Sequence, residues 1–350
     1  EIQGAGLSSP LVGNTVSIEG VVVGDFQNNR MPDNGDLNGF FVQEEDADAD
    51  GAFETSEGIF VFAPSSIDVQ VGDKVRVSGT VQESSDNTQI SSVTEVFICD
   101  PAAFPTVTDV SLPVTVLDDF EAYEGMYVRF TQELVISGYF NIDRFGEIVL
   151  TVPPLGQTRP YQPTAVEEPG SPQAADLAFL NSLSRITLDD GRTIQNPDPA
   201  FHPNGNVFDL NNRFRGGDIV RNATGVLNYA FSLYRLQPTT GAEYEPINPR
   251  PTAPDDVGGN LKVASFNVLN YFLTLDDNGP LCGPAQNLDC RGADNADEFV
   301  RQRDKILAAL EAIDADIFGL IEMENTSGVE PLSDIVTGLN DSMGSGTYAY

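Results

Sequence analysis

The sequence predicts a multidomain chain in which an all-β, OB-like barrel and a second β-rich module precede the start of an α/β sandwich domain. Two observations predict this order. Short β-branched runs separated by Gly, Asp and Pro fill the first 250 residues, whereas strand and helix patterns alternate after residue 260. A length of 350 residues suits two or three domains. The predicted boundaries are 1–103 for the barrel, 104–250 for the second module, 251–260 for a linker and 261–350 for the α/β part.

The barrel is predicted from five strand candidates in fewer than one hundred residues. Closure of such short strands removes exposed sheet edges, which favours an OB-type barrel. The candidates are 16–26, 39–45, 58–63, 73–82 and 88–98.

The second module is again β-rich but interrupted. A stretch over 154–173 is too rich in Pro and Gly for regular structure and predicts a long surface loop. Pro density over 246–260 predicts an extended linker. The strand candidates of this module are 125–130, 134–138, 147–152, 185–190 and 218–231.

The last ninety residues predict a strand, a long loop, a helix, a second strand and a further helix. LKVASFNVLN (261–270) and DIFGLIEMEN (316–325) have the character of buried strands. Between them, 297–313 repeats apolar residues at helical spacing. This order of elements is typical of the N-terminal part of an α/β layered domain.

The charge of the chain is strongly acidic. It has 53 Asp and Glu residues against 18 Lys and Arg, a formal charge of −35. Such a surface repels polyanions at long range, so taken alone it argues against a nucleic-acid binder. A solvated acidic surface explains most of these carboxylates, and a subset could bind cations. The sequence has no apolar run long enough to span a bilayer.

Cysteine usage indicates an oxidising compartment. Cys282 and Cys290 stand close together in a polar loop, a spacing that a disulfide can close, while no neighbouring His or third Cys completes a metal site. Cys99 lies in an apolar run and is expected to be a buried thiol. The chain begins at Glu1 without Met or signal peptide, which fits a mature secreted segment.

The run DADADGAFETSE matches the twelve-residue calcium-loop pattern. That pattern needs side-chain oxygens at positions one, three and five, Gly at six, a backbone carbonyl at seven and Glu at twelve. A strand candidate stands on each side, so we expect a Ca²⁺-binding hairpin loop; the alternative is a solvated acidic turn. The predicted ligands are Asp46, Asp48, Asp50, Ala52 and Glu57, with Gly51 at the turn.

Polar residues also stand where the two strands of the last region end. Asn267 closes the first strand and Glu322 the second. Polar groups at the carboxyl ends of neighbouring parallel strands converge on one crevice. Without further support, an Asn in a turn and a solvated Glu are the favoured explanation of this pair.

SFNVLNYF, followed in order by IEMEN, resembles the start of an endonuclease/exonuclease/phosphatase domain of the DNase-I-like superfamily. Together with EIQGAGLSSPLVGNTVSIEGVV, GFFVQEEDADADG and YEGMYVRF, these motifs are similar to the large extracellular nucleases of bacteria. The resemblance covers nearly the whole chain. It implies a secreted, metal-dependent nuclease.

The resemblance also implies roles for individual residues. Glu322 would be the Mg²⁺ ligand, although Ile321 stands where the superfamily usually has Gln. Asn267 would orient the nucleophile or a phosphate oxygen. Arg291, the first of a small basic group, would contact a phosphate.

The superfamily also needs His residues from late motifs. The only His of the chain, His202, lies in AFHPNGN and is expected in a surface loop. The sequence therefore predicts that the 350 residues are a piece of a longer enzyme and are inactive alone.

Three functions compete at this point. The first is hydrolysis of extracellular DNA, with RNA as a possible second substrate. The second is a Ca²⁺-stabilised nucleic-acid-binding β-module without catalysis, which the scarcity of basic residues near Phe40, Phe41, Phe60 and Phe62 disfavours. The third is hydrolysis of small phosphate esters.

Overall fold

The structure is a computed structural model, and it describes residues 2–27, 36–52, 54–99, 102–276, 279–283 and 285–350. The chain forms two compact units, Glu1–Pro249 and Arg250–Tyr350. The first unit contains the barrel and the second β-rich region, and the second contains the α/β part. No helix among the described residues is both long and apolar enough to cross a membrane.

The predicted closed barrel of five strands is confirmed. Its strand order is β1-β2-β3-β5-β4, with β4 pairing back to β1 and a parallel contact between β3 and β5. Alternate residues of β4, such as Val75 and Val77, are buried inside while Arg76 points out, as the period of a strand requires. The strands are β1 (Thr15–Phe26), β2 (Gly39–Gln43), β3 (Gly58–Phe62), β4 (Lys74–Ser84) and β5 (Asn87–Ile98).

The second β-rich region is one nine-stranded sheet. Its order is β14-β11-β8-β9-β10-β13-β12-β7-β6, and its core includes Phe120, Phe130 and Leu150. The strands are β6 (Thr108–Val110), β7 (Tyr127–Phe130), β8 (Leu134–Gly138), β9 (Ile148–Thr151), β10 (Arg185–Leu188), β11 (Ile219–Arg221), β12 (Ala223–Ala230), β13 (Leu233–Pro238) and β14 (Glu243–Glu245). A 3-10 helix (Leu117–Tyr123) and the helices α1 (Ile142–Phe145), α2 (Pro163–Val166) and α3 (Pro172–Leu183) accompany the sheet.

This sheet contains elements that the sequence did not predict. The strand expected over 218–231 is split at Asn222, whose φ of 52° is left-handed, into β11 and β12. The short strands β6, β13 and β14 were missed, as was α3. Helix α3 leaves Phe179 and Leu180 more than half exposed, so its apolar residues do not form the single buried stripe that predicts a helix.

The barrel and the sheet meet along a close backbone contact. A Cβ added at Gly58 would lie 2.3 Å from the backbone of Gly125, so only glycine fits there. Gln3 Nε2 donates to the Gly58 carbonyl oxygen over 2.9 Å, and Asn228 of β12 donates to Asn87 of β5 over 3.0 Å. These contacts join the two β-structures into the first unit.

The second unit has two parallel strands with two helices packed on one face. Buried Val268 and Tyr271 meet Leu307 and Leu310 of α4 and Ile335 of α5 in its core. Helix α4 begins at Asn295, whose side chain accepts a hydrogen bond from the Glu298 amide. The elements are β15 (Val263–Tyr271), α4 (Ala296–Ile313), β16 (Ile317–Met323) and α5 (Glu330–Met343).

Candidate functional site

The two predicted site residues lie at neighbouring positions on adjacent parallel strands. Asn267 of β15 is paired with Ile321 of β16, so Glu322 follows directly after the partner of Asn267. Phe266 and Leu320 pack toward the helices, whereas Asn267 and Ile321 are exposed on the other face. The prediction that Asn267 closes its strand is wrong, because β15 continues to Tyr271 after an irregularity. Regular pairing of the two strands nevertheless ends at Asn267 and Ile321, which places Asn267 and Glu322 at one level of the sheet.

Both strands leave regular β-geometry at this level. Leu269 and Asn270 have φ angles of 52° and 54°, and Glu322 has a φ of 67°. A left-handed backbone conformation is unfavourable for any residue other than glycine, so these φ angles mark a locally constrained backbone. In β16 it interrupts the alternation, so that Ile321 and Glu322 are both exposed before Met323 returns to the core.

The polar atoms at this position are available to a ligand. No hydrogen bond or ion pair within the described ranges engages the Glu322 carboxylate. The Oδ1 atom of Asn267 accepts a hydrogen bond from the Leu269 amide over 2.8 Å. With its oxygen occupied, Asn267 keeps its NH₂ group free to donate to an anion.

One free carboxylate with open space around it fits Mg²⁺, which binds through one or two carboxylates and retains water and substrate oxygens. The structure does not supply a denser ligand set. Across the part of the chain that it describes, no group of three or more His, Cys, Asp or Glu side chains is arranged to hold a metal. Any metal here would depend on Glu322 as its main protein ligand.

Glu324 anchors the loop that leaves the first strand, and sequence reasoning missed it. Its Oε2 atom accepts hydrogen bonds from the Leu273 and Thr274 amides over 2.7 and 3.2 Å, and its Oε1 atom accepts one from the Thr274 hydroxyl over 2.6 Å. Glu324 therefore holds the backbone beyond Asn267 in place. The spacing of the two Glu residues in IEMEN was the available signal, since both belong to the same strand end.

A second set of contacts fixes the strand end against the helices. The Tyr271 hydroxyl donates to Asp334 of α5, and Arg303 Nε of α4 donates to the same carboxylate over 2.7 Å. Burial raises the pKa of Tyr271 well above its usual range, and the hydrogen bond to Asp334 adds to this shift. Tyr271 stays neutral and acts as a structural donor. Arg303 is accordingly an ion-pair partner of Asp334 within the unit.

The predicted disulfide between Cys282 and Cys290 is confirmed. Arg291 follows it directly and is exposed. In the described residues, no ion pair involves Arg291. Its guanidinium group can therefore contact a phosphate, although nothing in the structure assigns it one.

The loop between β2 and β3 does not bring its predicted calcium ligands together. Both carboxylate oxygens of Asp46 are occupied, because the amide and hydroxyl of Thr106 donate to them over 2.8 and 2.6 Å. Asp50 Oδ1 accepts a hydrogen bond from the Ala52 amide over 2.7 Å. The side chain of Asp48 is exposed, and Phe53 of the pattern lies outside the described residues.

Carboxylates nevertheless crowd one end of this loop. Burial raises the pKa of Glu57 to about 7, and the hydrogen bond and charge of Glu44 add to the shift, followed by the charge of Asp50. The Asp50 amide donates to Glu57 over 3.2 Å. The negative charges of Glu57, Glu44 and Asp50 repel one another, and either a proton on Glu57 or a bound cation would reduce this repulsion.

Two expectations from the sequence are corrected. His202 is not in an exposed loop: it is 2% exposed, its Nδ1 accepts from the Asn204 amide over 3.0 Å, and its ring packs edge-on against Tyr244. Burial lowers the pKa of His202, so it stays neutral in the core. Cys99 is only half-buried rather than buried, because it lies just past the end of β5, where Phe97 and Ile98 are exposed.

Part of the second β-rich region matches a known family. Residues 112–248 match a family described as a domain of unknown function, DUF8508. The match spans most of the nine-stranded sheet and excludes the strand ends that carry Asn267 and Glu322. No curated protein matches the chain.

Proposed function

We propose that this protein is part of a secreted, Mg²⁺-dependent nuclease of the DNase-I-like superfamily, with its site at the ends of β15 and β16. The observation that carries the proposal is the placement of Asn267 and Glu322 at successive register positions of two parallel strands, both exposed. A free carboxylate beside a free amide donor suits a metal and a phosphate together. The sequence motifs around both residues support the superfamily.

Each side chain has a defined task in this proposal. The Glu322 carboxylate supplies the negative charge that holds the cation. The Asn267 NH₂ group donates to a non-bridging phosphate oxygen, and the bond from the Leu269 amide to its Oδ1 atom fixes its direction. A bound Mg²⁺ would polarise the phosphoryl group and lower the pKa of a coordinated water.

The choice of DNA as substrate rests on the sequence resemblance and on Arg291. This exposed cation lies beside the Cys282–Cys290 disulfide, a feature suited to an oxidising, extracellular setting. The net charge of −35 opposes a polyanion at long range, so binding should depend strongly on divalent cations. RNA and small phosphate esters remain as alternative substrates for the same metal and amide pair.

The acidic loop has a supporting role in the proposal. A Ca²⁺ ion between Glu57 and Asp50 would relieve the repulsion that these groups share with Glu44. Full ligation by the twelve-residue pattern would require Asp46 to leave Thr106. Calcium would thus act on the stability of the barrel and not on the phosphodiester.

Mg²⁺-dependent binding of DNA tests the proposal. Fluorescence anisotropy of a labelled 12-base-pair duplex should rise with added Mg²⁺, because Glu322 would hold the metal and the charge of the metal would attract the phosphates. Glu322→Gln, which keeps the shape and removes the charge, should weaken this binding at least tenfold. Asp304→Asn is the matched control, since Asp304 is exposed on α4 and should leave binding unchanged. Competition by RNA and by phenyl phosphate ranks the alternative substrates.

Cleavage of supercoiled plasmid by an enzyme that carries both this chain and the late His motifs of the superfamily extends the test. There, Glu322→Gln should lower the rate at least a hundredfold. Two results would contradict the proposal: full activity of that variant, or a duplex affinity that changes neither with added Mg²⁺ nor in Glu322→Gln.

A further inference from the structure

Two cavities open on the first unit beside β10, away from the residues discussed above. The first, about 390 Å³, lies where the β4–β5 turn of the barrel approaches the sheet. The second, about 440 Å³, lies between β8, β9, the segment 160–163 and the second half of α3. Ser182 and Arg185 line both cavities. We call the two adjoining cavities the Arg185 groove. Each is within the size range of a small-ligand pocket, so the groove has room for a ligand of several units.

Aromatic rings line the groove at both ends. Tyr229 of β12 is paired in register with Tyr234 of β13, and their rings lie 4.8 Å apart in the first cavity. Tyr161 lines the second cavity and is 40% exposed. The Asn181 side chain donates to the Tyr161 carbonyl oxygen over 2.9 Å and so fixes the loop that carries this ring. Flat, partly exposed rings held in place suit the apolar faces of a ligand.

The polar side chains of the second cavity are mostly neutral. Hydroxyl and amide groups predominate, and Arg185 is its one charged group among the lining residues. No ion pair in the described portion of the chain involves Arg185, so its guanidinium donors are free to bind a ligand. The neutral lining groups are Ser137, Thr151, Gln162, Asn181 and Ser182.

The charges of the groove exclude ionic ligands that span it. The first cavity has three carboxylates, Asp86, Asp118 and Glu121, against Arg185. A polyanion would meet these carboxylates, and a polycation would meet Arg185 in both cavities. Several hydroxyl and amide groups of the second cavity already bond within the protein: Ser137 with Thr151, Ser182 with the Phe179 carbonyl oxygen and Asn181 with the Tyr161 carbonyl oxygen. The Arg185 guanidinium group and the carboxylates of the first cavity remain as hydrogen-bonding partners for a neutral ligand rich in hydroxyl groups.

We propose that the Arg185 groove binds a neutral oligosaccharide, with sugar rings against Tyr161 and the Tyr229–Tyr234 pair and with hydroxyl groups bound to Arg185 and the surrounding carboxylates and amides. Sugars combine apolar ring faces with a rim of donors and acceptors, which is the combination that the groove presents. Carboxylates and guanidinium groups form the stronger, charge-assisted hydrogen bonds to such hydroxyls. The groove would attach the protein to a polysaccharide matrix, a role separate from phosphodiester chemistry.

Affinity electrophoresis of the full chain tests this inference. Native gels contain amylose, hydroxyethyl cellulose, galactomannan or dextran as neutral probes, and alginate or a 20-nucleotide oligothymidine as anionic probes. EDTA in every gel suppresses metal-dependent binding of nucleic acid elsewhere in the chain. We expect at least one neutral polysaccharide to retard the protein and the anionic probes to leave its mobility unchanged.

Variants then assign the binding to the groove. Tyr161→Ala and Arg185→Gln, which alter exposed side chains, should each weaken binding at least tenfold when a hexasaccharide of the retarding polymer is titrated by calorimetry. Phe140→Ala and Arg213→Gln are matched controls, because both residues are exposed and line neither cavity. Thermal melting of each variant confirms that it is folded.

Three results would overturn the inference: no retardation by any of the four neutral polymers, retardation only by an anionic polymer, or retardation that Tyr161→Ala and Arg185→Gln both retain. None of these results bears on Glu322. Equally, loss of Mg²⁺-dependent DNA binding would leave the sugar-binding result intact.

Discussion

At the scale of single residues, the most unusual environment belongs to Glu124, at the contact between barrel and sheet. The side chain is 1% exposed. Its Oε1 atom accepts from the Thr88 amide over 3.0 Å, while its Oε2 atom is buried with no hydrogen-bond partner in the described part of the molecule. Burial raises the pKa of Glu124 to about 8, and the charge of Glu121 contributes next. This carboxyl group is therefore protonated at neutral pH.

The raised pKa of Glu124 predicts a pH-dependent stability. Between about pH 4.5 and pH 8 the folded protein keeps a proton on Glu124 that the unfolded chain releases, so the free energy of unfolding falls as pH rises through this window. In Glu124→Gln, which stays neutral, the free energy of unfolding should fall by about 3 kcal/mol less over this pH range than in the wild type. Urea unfolding of both proteins at pH 5, 6.5 and 8 measures the effect. Equal pH slopes for the two proteins would show that Glu124 is not the group responsible.

Residues of this kind cannot be identified from sequence. Glu124 and His202 stand in polar, ordinary-looking stretches, and their burial results from contacts with strands far away in the chain. Asn267 and Glu322 were predicted as site residues because the motifs around them resemble those of a nuclease superfamily; their positions alone favoured an Asn in a turn and a solvated Glu. Even there, the left-handed φ of Glu322 and the anchoring role of Glu324 needed the structure.

At the scale of elements, alternating or β-branched patterns made strands predictable. The five barrel strands lie within two residues of their predicted ends, and each carries β-branched residues. Elements without that signal were missed. Strand β13 has Tyr234 and Arg235 next to each other and depends on pairing with β10 and β12, and helix α3 has no buried apolar stripe. In both cases tertiary contacts, and not local pattern, decide the structure.

The acidic loop between β2 and β3 shows the same limit. Its twelve-residue spacing matches a calcium loop, yet Thr106, sixty residues away, holds Asp46. A match in spacing cannot reveal such a distant competitor. The crowding of Glu57, Glu44 and Asp50 still favours a cation.

Calcium should therefore stabilise the first unit through this loop. At one hundred times its dissociation constant, Ca²⁺ should add roughly 2.7 kcal/mol to the free energy of unfolding. The Asp48→Ala, Asp50→Ala double variant should lose this response. Differential scanning calorimetry with CaCl₂, and with MgCl₂ at equal ionic strength as control, measures it. An unchanged melting temperature with and without Ca²⁺ in the wild-type protein would rule out the loop as a calcium site.

At the scale of the whole molecule, two independent units have different kinds of surface. In the first, the barrel and the nine-stranded sheet share the Gly58–Gly125 contact and carry the Arg185 groove. In the second, two parallel strands carry exposed Asn267 and Glu322 at successive register positions. A net charge of −35 across the chain opposes the approach of a phosphodiester at long range. The proposed nuclease function therefore depends on whether a divalent metal binds at Glu322.

Paramagnetic broadening by Mn²⁺, used in place of Mg²⁺, tests most directly whether a divalent metal binds at Glu322. At a substoichiometric Mn²⁺ concentration, amide signals of residues 267–271 and 321–324 in the isotope-labelled full chain should broaden, and Glu322→Gln should abolish this while Asp304→Asn leaves it unchanged. Sharp signals from both strand ends, or broadening that persists in Glu322→Gln, would contradict a metal site at Glu322.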